Sequence, residues 1–259
     1  LAASSGGRPP RVLQLQPNSC MVIGVDLGSS HITVLSMNLG GEIESMFEVQ
    51  MDCQNKPQFA LHTIVEMVNA LRTGKSLLGV GVAVPCPVVD GHLSEQILPA
   101  WKGIHLQSAL KSMLDVRVFL GNDANLGALA ERWWGSCKGI DDFVFVKMAT
   151  GVGAGLFQNG NIMLGDIGCA GELGHVPISN EGLCRCGMTG CLEAHVGLPH
   201  LNERIQVHIE NPEQTPLSWL KEGTSTAAQN ILQETAQSLS IALSMLVNLL
   251  NPYKIVLWG

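Results

Sequence analysis

The sequence predicts an α/β protein of two lobes, and three observations lead there. Strand-like and helix-like segments alternate along the chain, as they do in α/β folds. Both halves open with the same strand, hairpin and strand unit, with an Asp or a Gly-rich turn at the first bend. Such a weak internal duplication is typical of two lobes with a cleft between them. The 259 residues are 46% hydrophobic and include 29 glycines, enough for a sizeable core and for tight turns or a glycine-lined ligand site.

Residues 1–11, Leu-Ala-Ala-Ser-Ser-Gly-Gly-Arg-Pro-Pro-Arg, read as a linker. The first lobe is expected over 12–121 and the second over 122–259. Met21–Asp26 is a short apolar run, His31–Met37 alternates, and Asn38-Leu39-Gly40-Gly41 is a hairpin signal before Glu42–Gln50. Three antiparallel strands are the economical reading. Pro57–Arg72 is helical, because Leu61, Ile64, Val65, Val68 and Leu71 fall on one stripe. Leu78–Val84 is a buried strand stopped by Pro85-Cys86-Pro87. Leu106–Leu114 is a short helix and Val116–Leu120 another strand. The second half continues with strands at Phe143–Met148 and Gly155–Gln158, then an Asn159-Gly160 hairpin turn before Ile162. A long helix runs from Ala227 to Leu250, its stripe made of Ile231, Leu232, Leu239, Leu243, Leu246 and Leu250. Asn251-Pro252 ends it, and Lys254–Trp258 is the last strand.

Composition excludes several classes. Charged residues are only 14%, unlike a disordered or coiled-coil chain. The net charge of −7 offers no footprint for a phosphate backbone, which basic nucleic-acid modules carry. No apolar run approaches the ~20 residues of a membrane helix. The chain starts at Leu1 with no signal-peptide pattern, so the expectation is a fragment or processed form of a cytoplasmic protein. Of eight cysteines, Cys20, Cys53, Cys86, Cys137 and Cys169 sit among apolar or small residues and read as free thiols. The other three fall within eight positions, which favours a metal site over a disulfide framework.

That cluster is the strongest local signal: His175-x8-Cys184-x-Cys186-x4-Cys191. One imidazole and three thiolates make a closed tetrahedral zinc set, with no open position, so the ion is structural. Gly182, Gly187 and Gly190 supply the bends. Glu172 and Glu193 flank the ligands, and the knot over about 172–193 presses two carboxylates toward one place. With Asp123, Asn122 and His175 they describe a carbohydrate site, since carboxylates accept paired hydroxyl donors.

The remaining motifs have a bland and a functional reading each. Asp26-Leu27-Gly28-Ser29-Ser30 is either a polar hairpin turn or an anion-binding turn. Gly121-Asn122-Asp123-Ala124-Asn125 is either a helix N-cap or the seat of a general base, Asp123, with Asn122 beside it. Thr150-Gly151-Val152-Gly153-Ala154-Gly155 permits close approach to a phosphate or sugar, but a strand rather than a helix follows, so it is no dinucleotide fingerprint. Gly74-Lys75-Ser76 lacks the earlier glycine of a P-loop, because position 69 is Asn. Glu131, Trp133 and Trp134 read as packing and surface. His31, His62, His92, His105, His195, His200 and His208 have no spacing that singles them out.

Taken in order, these stretches resemble the ROK family of bacterial repressors and sugar kinases. The resemblance covers about Val12 to the end and includes Pro85-Cys86-Pro87-Val88-Val89-Asp90-Gly91 and Ala170-Gly171-Glu172-Leu173-Gly174-His175. It implies a ribonuclease-H-like, actin/hexokinase-type fold that binds a monosaccharide or sugar derivative. By motif, Asn122, Asp123, Glu172, His175 and Glu193 would contact sugar hydroxyls, and His175, Cys184, Cys186 and Cys191 would hold zinc. In kinase members Asp123 would be the base, with ATP and Mg2+ as cofactors and Asp26, Gly28, Ser30, Thr150, Gly151 and Gly153 near phosphate.

This chain departs from the kinase pattern. Kinases usually carry Asp-x-Gly-Gly-Thr-Lys at the first turn, where Asp26-Leu27-Gly28-Ser29-Ser30-His31 stands here. The opening segment looks like the linker after a winged helix-turn-helix in family regulators. The expectation is therefore the sugar-sensing domain of a regulator, a homo-oligomer that reaches DNA only through an upstream element outside this chain. The alternative is an ATP-dependent hexose kinase. Family members also continue beyond Ile255-Val256-Leu257, so the second lobe is expected to be incomplete. A pure zinc-knot interaction module would explain the cysteines but neither Asp123 nor the glycine turns.

Overall fold

The computed structural model describes residues 13–72, 74–89, 91–95, 97–209, 214–222 and 225–259. The expected linker at 1–11 lies outside the described residues. In chain order the elements are β1 (Cys20–Leu27), β2 (His31–Asn38), β3 (Ile43–Gln50), α1 (Pro57–Leu71), β4 (Ser76–Val84), β5 (Val88–Val89) and β6 (His92–Leu93). There follow α2 (Leu106–Leu114), β7 (Val118–Asn122), α3 (Asp123–Trp133), β8 (Phe143–Met148), β9 (Val152–Gln158) and β10 (Asn161–Ile162). The chain ends with α4 (Glu193–Val196), α5 (Leu198–Gln206), α6 (Pro216–Glu222), α7 (Thr226–Leu250) and β11 (Lys254–Trp258).

Contacts group these elements into two compact units. One takes in the described residues up to Val82 together with His105–Leu120; the other is Ala83–Ile104 with Gly121–Gly259. The later boundary falls one residue from the expected cut after 121, whereas Ala83–Ile104, expected in the first lobe, groups with the second unit.

In the first unit β1, β2 and β3 form the antiparallel meander that the alternation predicts. Met21, Ile23, Val25 and Leu27 share one buried face with Ile32 and Val34. The hairpin signal works through Asn38, whose Oδ1 accepts from the N–H groups of Gly40 and Glu42 at 2.9 and 3.0 Å. Gly41 takes the left-handed φ of 86° that the turn requires. Helix α1 buries Leu61, Ile64, Val68 and Leu71, the predicted stripe apart from half-buried Val65. The five-stranded sheet has the order β3-β2-β1-β4-β7.

In the second unit a four-stranded sheet has the order β10-β9-β8-β11, with β11 parallel to β8. The Asn159-Gly160 turn has both residues at positive φ, 51° and 74°, as a two-residue hairpin demands. One core lies between this sheet, α7 and the knot, with Val146, Leu192 and Ala242 fully buried. A second core packs α3 on the sheet through Ala128, Phe143, Phe145 and Phe157.

Three expectations need correction here. The segment from Val152 is strand from its first residue, not a turn up to Gly155, because α3 lies close against it. A Cβ on Gly155 would stand 2.5 Å from the Ala124 oxygen and from the Ala128 Cβ. The strand expected at Val116–Leu120 is Val118–Asn122, so Asn122 ends a strand and caps the next helix at once. Leu232 is half exposed, since α7 turns that face away from the side on which Ile231 and Leu246 are buried.

Candidate functional site

The Cys/His segment folds as a compact knot. Gly182, Gly187 and Gly190 all have positive φ, at 85°, 88° and 80°. Gly190 could be nothing else, because a Cβ there would meet the Ser179 oxygen at 1.8 Å. Bridges pair Pro177 with Cys191 and Leu183 with Thr189. The donor atoms of His175, Cys184, Cys186 and Cys191 all lie within 4.8 Å of one another. Cys184 Sγ is 3.6 Å from His175 Nδ1, and the sulfurs of Cys186 and Cys191 are 3.7 Å apart. Ligands about 2.3 Å from one tetrahedral ion stand about 3.8 Å apart, so this donor set fits such an ion. Burial and the neighbouring thiols push Cys191 up to about 12, and burial raises Cys184 too, whereas hydrogen bonds from the Met188 backbone and the neighbouring thiols hold Cys186 below the usual thiol range.

His175 faces two ways. Its Nδ1 is turned to Cys184, while Nε2 is 3.8 Å from Glu172 Oε2. Both side chains line a pocket of about 550 Å³, shared with Arg185 and Cys186 of the knot and with Pro87, Val89, Leu93 and Ile97. Burial raises the Glu172 carboxyl above its usual range, with the charges of Asp123 and Glu193 adding to the effect and Arg185 opposing it.

Glu193 does not line that pocket. It is buried at the start of α4, and Arg185 grips it with Nε to Oε1 at 2.6 Å and Nη2 to Oε2 at 3.1 Å. Its Oε2 also accepts the Val152 N–H at 2.9 Å. Gly151 makes room for this pair: a Cβ there would be 2.7 Å from Arg185 Nη2 and 3.0 Å from Glu193 Oε2. A Cβ on Gly153 would stand 3.3 Å from the Ala124 Cβ, and Thr150 is exposed. Packing thus accounts for the glycines of this turn.

At the head of α3, Asn122 Oδ1 accepts the Asn125 N–H at 3.1 Å, the cap that the bland reading predicts. Asp123 Oδ1 accepts the Ala124 N–H at 2.7 Å, and Oδ2 accepts from Lys147 Nζ at 2.6 Å. The side chains of Asp123 and Lys147 are only 14% and 19% exposed, and the ammonium lies 5.7 Å from the centre of the Trp258 ring.

The turn after β1 belongs to the first unit. Gly28 N–H bonds to the His31 oxygen at 3.0 Å, closing a hairpin. The His31 ring lies directly over Gly28, where a Cβ would meet its Cε1 at 2.2 Å, and reaches Asp26 Oδ2 at 3.3 Å. Ser30 is exposed. Trp133 and Trp134 are surface residues, as expected. Among the scattered cysteines, Cys53, Cys86 and Cys137 are buried, while Cys20 and Cys169 are partly exposed.

A sequence model of the ROK family matches residues 22–259. The chain belongs to the ROK family. It is 28% identical to a xylose repressor of Caldicellulosiruptor bescii, over 98% of this chain and 69% of the repressor. It is 30% identical to a glucokinase of Halalkalibacterium halodurans, over 92% of this chain and 79% of the enzyme. The crystal structure of a ROK transcriptional regulator, a homologue of the Escherichia coli MLC protein, superposes with a TM-score of 0.79 at 24% identity, covering 95% of this chain and 67% of that one. The fold is therefore the ROK fold, actin-like with mixed α/β sheets. In this ROK chain two site residues escaped the sequence reasoning, Lys147 and Arg185. Each left a signal: Lys147 is the one charge in the run Phe143–Met148, and Arg185 is a charge set between two thiols of the candidate metal set.

Proposed function

We propose that this ROK chain is the sugar-binding effector domain of a transcriptional regulator of carbohydrate metabolism, which binds its sugar without phosphorylating it. The observation that carries the reading is the ion pair between Asp123 and Lys147. A general base must take a proton from a hydroxyl, and two of the roughly four acceptor sites of this carboxylate are already taken, one by a backbone N–H and one by an ammonium that fixes its direction. The first turn supports the same reading, since the Gly28 N–H that a phosphate would need is already bonded to the His31 oxygen. Glu172 and His175 then accept and donate to sugar hydroxyls, with Asn122 and Asp123 nearby, and Glu193 acts through Arg185. Zinc held by His175, Cys184, Cys186 and Cys191 cross-links the knot and, with four protein ligands, takes no part in chemistry. DNA would be reached through a winged helix-turn-helix outside this chain.

The identity to a glucokinase favours the second reading, an ATP-dependent hexose kinase with Asp123 as base and Thr150, Gly151, Gly153, Asp26, Gly28 and Ser30 near the nucleotide phosphates. Two measurements separate the readings. Calorimetry with xylose and glucose is expected to find binding, weakened at least tenfold in Glu172→Ala, which corresponds to about 1.4 kcal/mol. A coupled ATP–hexose assay is expected to find no turnover. Robust turnover that vanishes in Asp123→Ala makes the chain a kinase.

A further inference from the structure

The knot has a second fastening that uses none of its candidate metal donors. The chain between Ser179 and Cys184 sends no side chain into the core: Asn180, Glu181, Gly182 and Leu183 are all exposed. Hydrogen bonds have to order it instead. Some come from within the knot, where the Gly190 N–H donates to the Gly182 oxygen and the Cys184 N–H to the Met188 oxygen, both at 2.8 Å. Others come from α4. Its His195 places Nε2 2.9 Å from Ser179 Oγ and 3.0 Å from the Glu181 oxygen. Ser179 Oγ donates to that same oxygen at 2.9 Å and accepts the Glu181 N–H at 3.1 Å. The Glu181 oxygen can only accept, so this network assigns the proton to Nε2, which donates. That tautomer rules out Ser179 as a nucleophile activated by the imidazole. Gly182, at a φ of 85°, passes beside the ring, and a Cβ there would stand 3.4 Å from Nε2.

His195 thus ties the arm that leads into Cys184 and Cys186 to the helix that follows Cys191. A metal held by His175, Cys184, Cys186 and Cys191 would join the same two arms. Two links that order one loop share the entropy cost of ordering it, so each strengthens the other. We propose that His195, through Ser179 and Glu181, is a positioning residue for the metal set: it holds the Cys184 arm where an ion closes the knot. The proposal rests on the metal-holding reading of the four donors and adds a residue that is not itself a ligand. Spacing does not single it out, because Ser179 and His195 are 16 positions apart and meet only in the folded knot.

The test is the zinc affinity of the 259-residue chain, measured by competition with a chelating dye. His195→Ala loses both bonds from Nε2, which at ordinary hydrogen-bond strength corresponds to about tenfold weaker zinc binding. His195→Gln, whose amide N–H replaces Nε2–H, should stay within about threefold of the wild-type chain. Ser179→Ala should fall between the two. The thiolate absorption of bound Co2+ should keep its wavelength throughout, because the donor atoms are the same. A residue that only supports the fold would lower the melts of the zinc-free and zinc-loaded chains equally and leave the affinity alone; that result overturns the inference. So does His195→Gln binding as weakly as His195→Ala, or a shifted Co2+ band in His195→Ala, which would make His195 part of the donor set. If His195→Ala lacks native circular dichroism, Ser179→Ala decides, and an unchanged affinity there overturns the inference while the metal reading stands. If the wild-type chain binds neither zinc nor cobalt, both fall.

Discussion

At Gly28 and at Gly151 a side chain occupies the place of a missing Cβ, but the two side chains come from different distances along the chain. His31 is supplied by the same hairpin as Gly28. Arg185 and Glu193 are supplied to Gly151 by the knot, and the Glu193 bond to Val152 spans 41 positions. The first turn is thus a local object. The second exists only while the knot holds its shape, so the order of the Cys/His segment is transmitted to β9 and to the pocket beside Glu172. Damage to the knot should reach the site; damage to the first turn should stay there.

The largest effect is expected from the metal set. Cys184→Ser, or chelation, should lower the Tm by about 10 °C, on the scale of 2–4 °C per kcal/mol for a chain of this size. Hydrogen exchange at the Val152 amide should accelerate together with the knot, while amides of β1 and β2 keep their protection. Elemental analysis should find about one zinc per chain before treatment. A melt unchanged by chelation, or Val152 protection that survives it, would break the coupling.

Next comes Glu193→Ala, which strands the Arg185 charge and the Val152 N–H. Removing one member of a buried pair costs about 3–5 kcal/mol; Arg185 is 35% exposed, so solvent screening reduces the expectation to about 2 kcal/mol in urea unfolding. Glycine substitutions compare the two turns directly. Neither Gly28 nor Gly151 lies in the positive-φ region, so alanine tests space alone. Gly151→Ala should cost about 1–2 kcal/mol by displacing a bidentate pair. Gly28→Ala should cost less than about 1 kcal/mol, because the His31 ring can swing to solvent. His31→Ala by itself should stay within about 0.5 kcal/mol and should rescue Gly28→Ala. An equal cost at the two glycines would remove the distinction between local and transmitted turns.

The smallest effect concerns a thiol near each region. Cys53 bonds through its backbone to Ser29 in the first turn, and Cys86 feels the charges of Asp123 and Glu172. Burial raises both thiols to about 11. A raised thiol remains protonated until the pH nears that value, and only the thiolate is nucleophilic. Iodoacetamide at pH 8 should therefore leave both unmodified in the folded protein, as peptide mass mapping would read. Modification of Cys53 alone would mark the first turn as the looser of the two.

Period and punctuation made most of the fold legible. The alternation in β1 and β2, the stripe of α1 and the Asn159-Gly160 turn are properties of neighbours a few residues apart, and the structure follows them closely. The cluster of candidate metal donors was legible for the same reason, since three of its members fall within eight positions. Glu193 and the glycines of Thr150–Gly155 were not. Their residue types are right for a sugar or a phosphate, yet Glu193 is spent on Arg185 and Val152, and the glycines are spent on clearance for α3 and the knot.

The sequence by itself determined the elements, the ROK family and the four candidate metal donors, because these depend on local order and composition. Tertiary structure decided which polar groups remain available to a ligand. Hydrogen-bond capacity is finite, and a carboxylate engaged by a distant cation is chemically different from the same carboxylate facing solvent. Asp123 and Lys147 are 24 positions apart, and the structure brings them within 2.6 Å. No spacing rule links the two residues. They meet because α3 packs on the sheet that holds β8, and that packing sets how the candidate base is used.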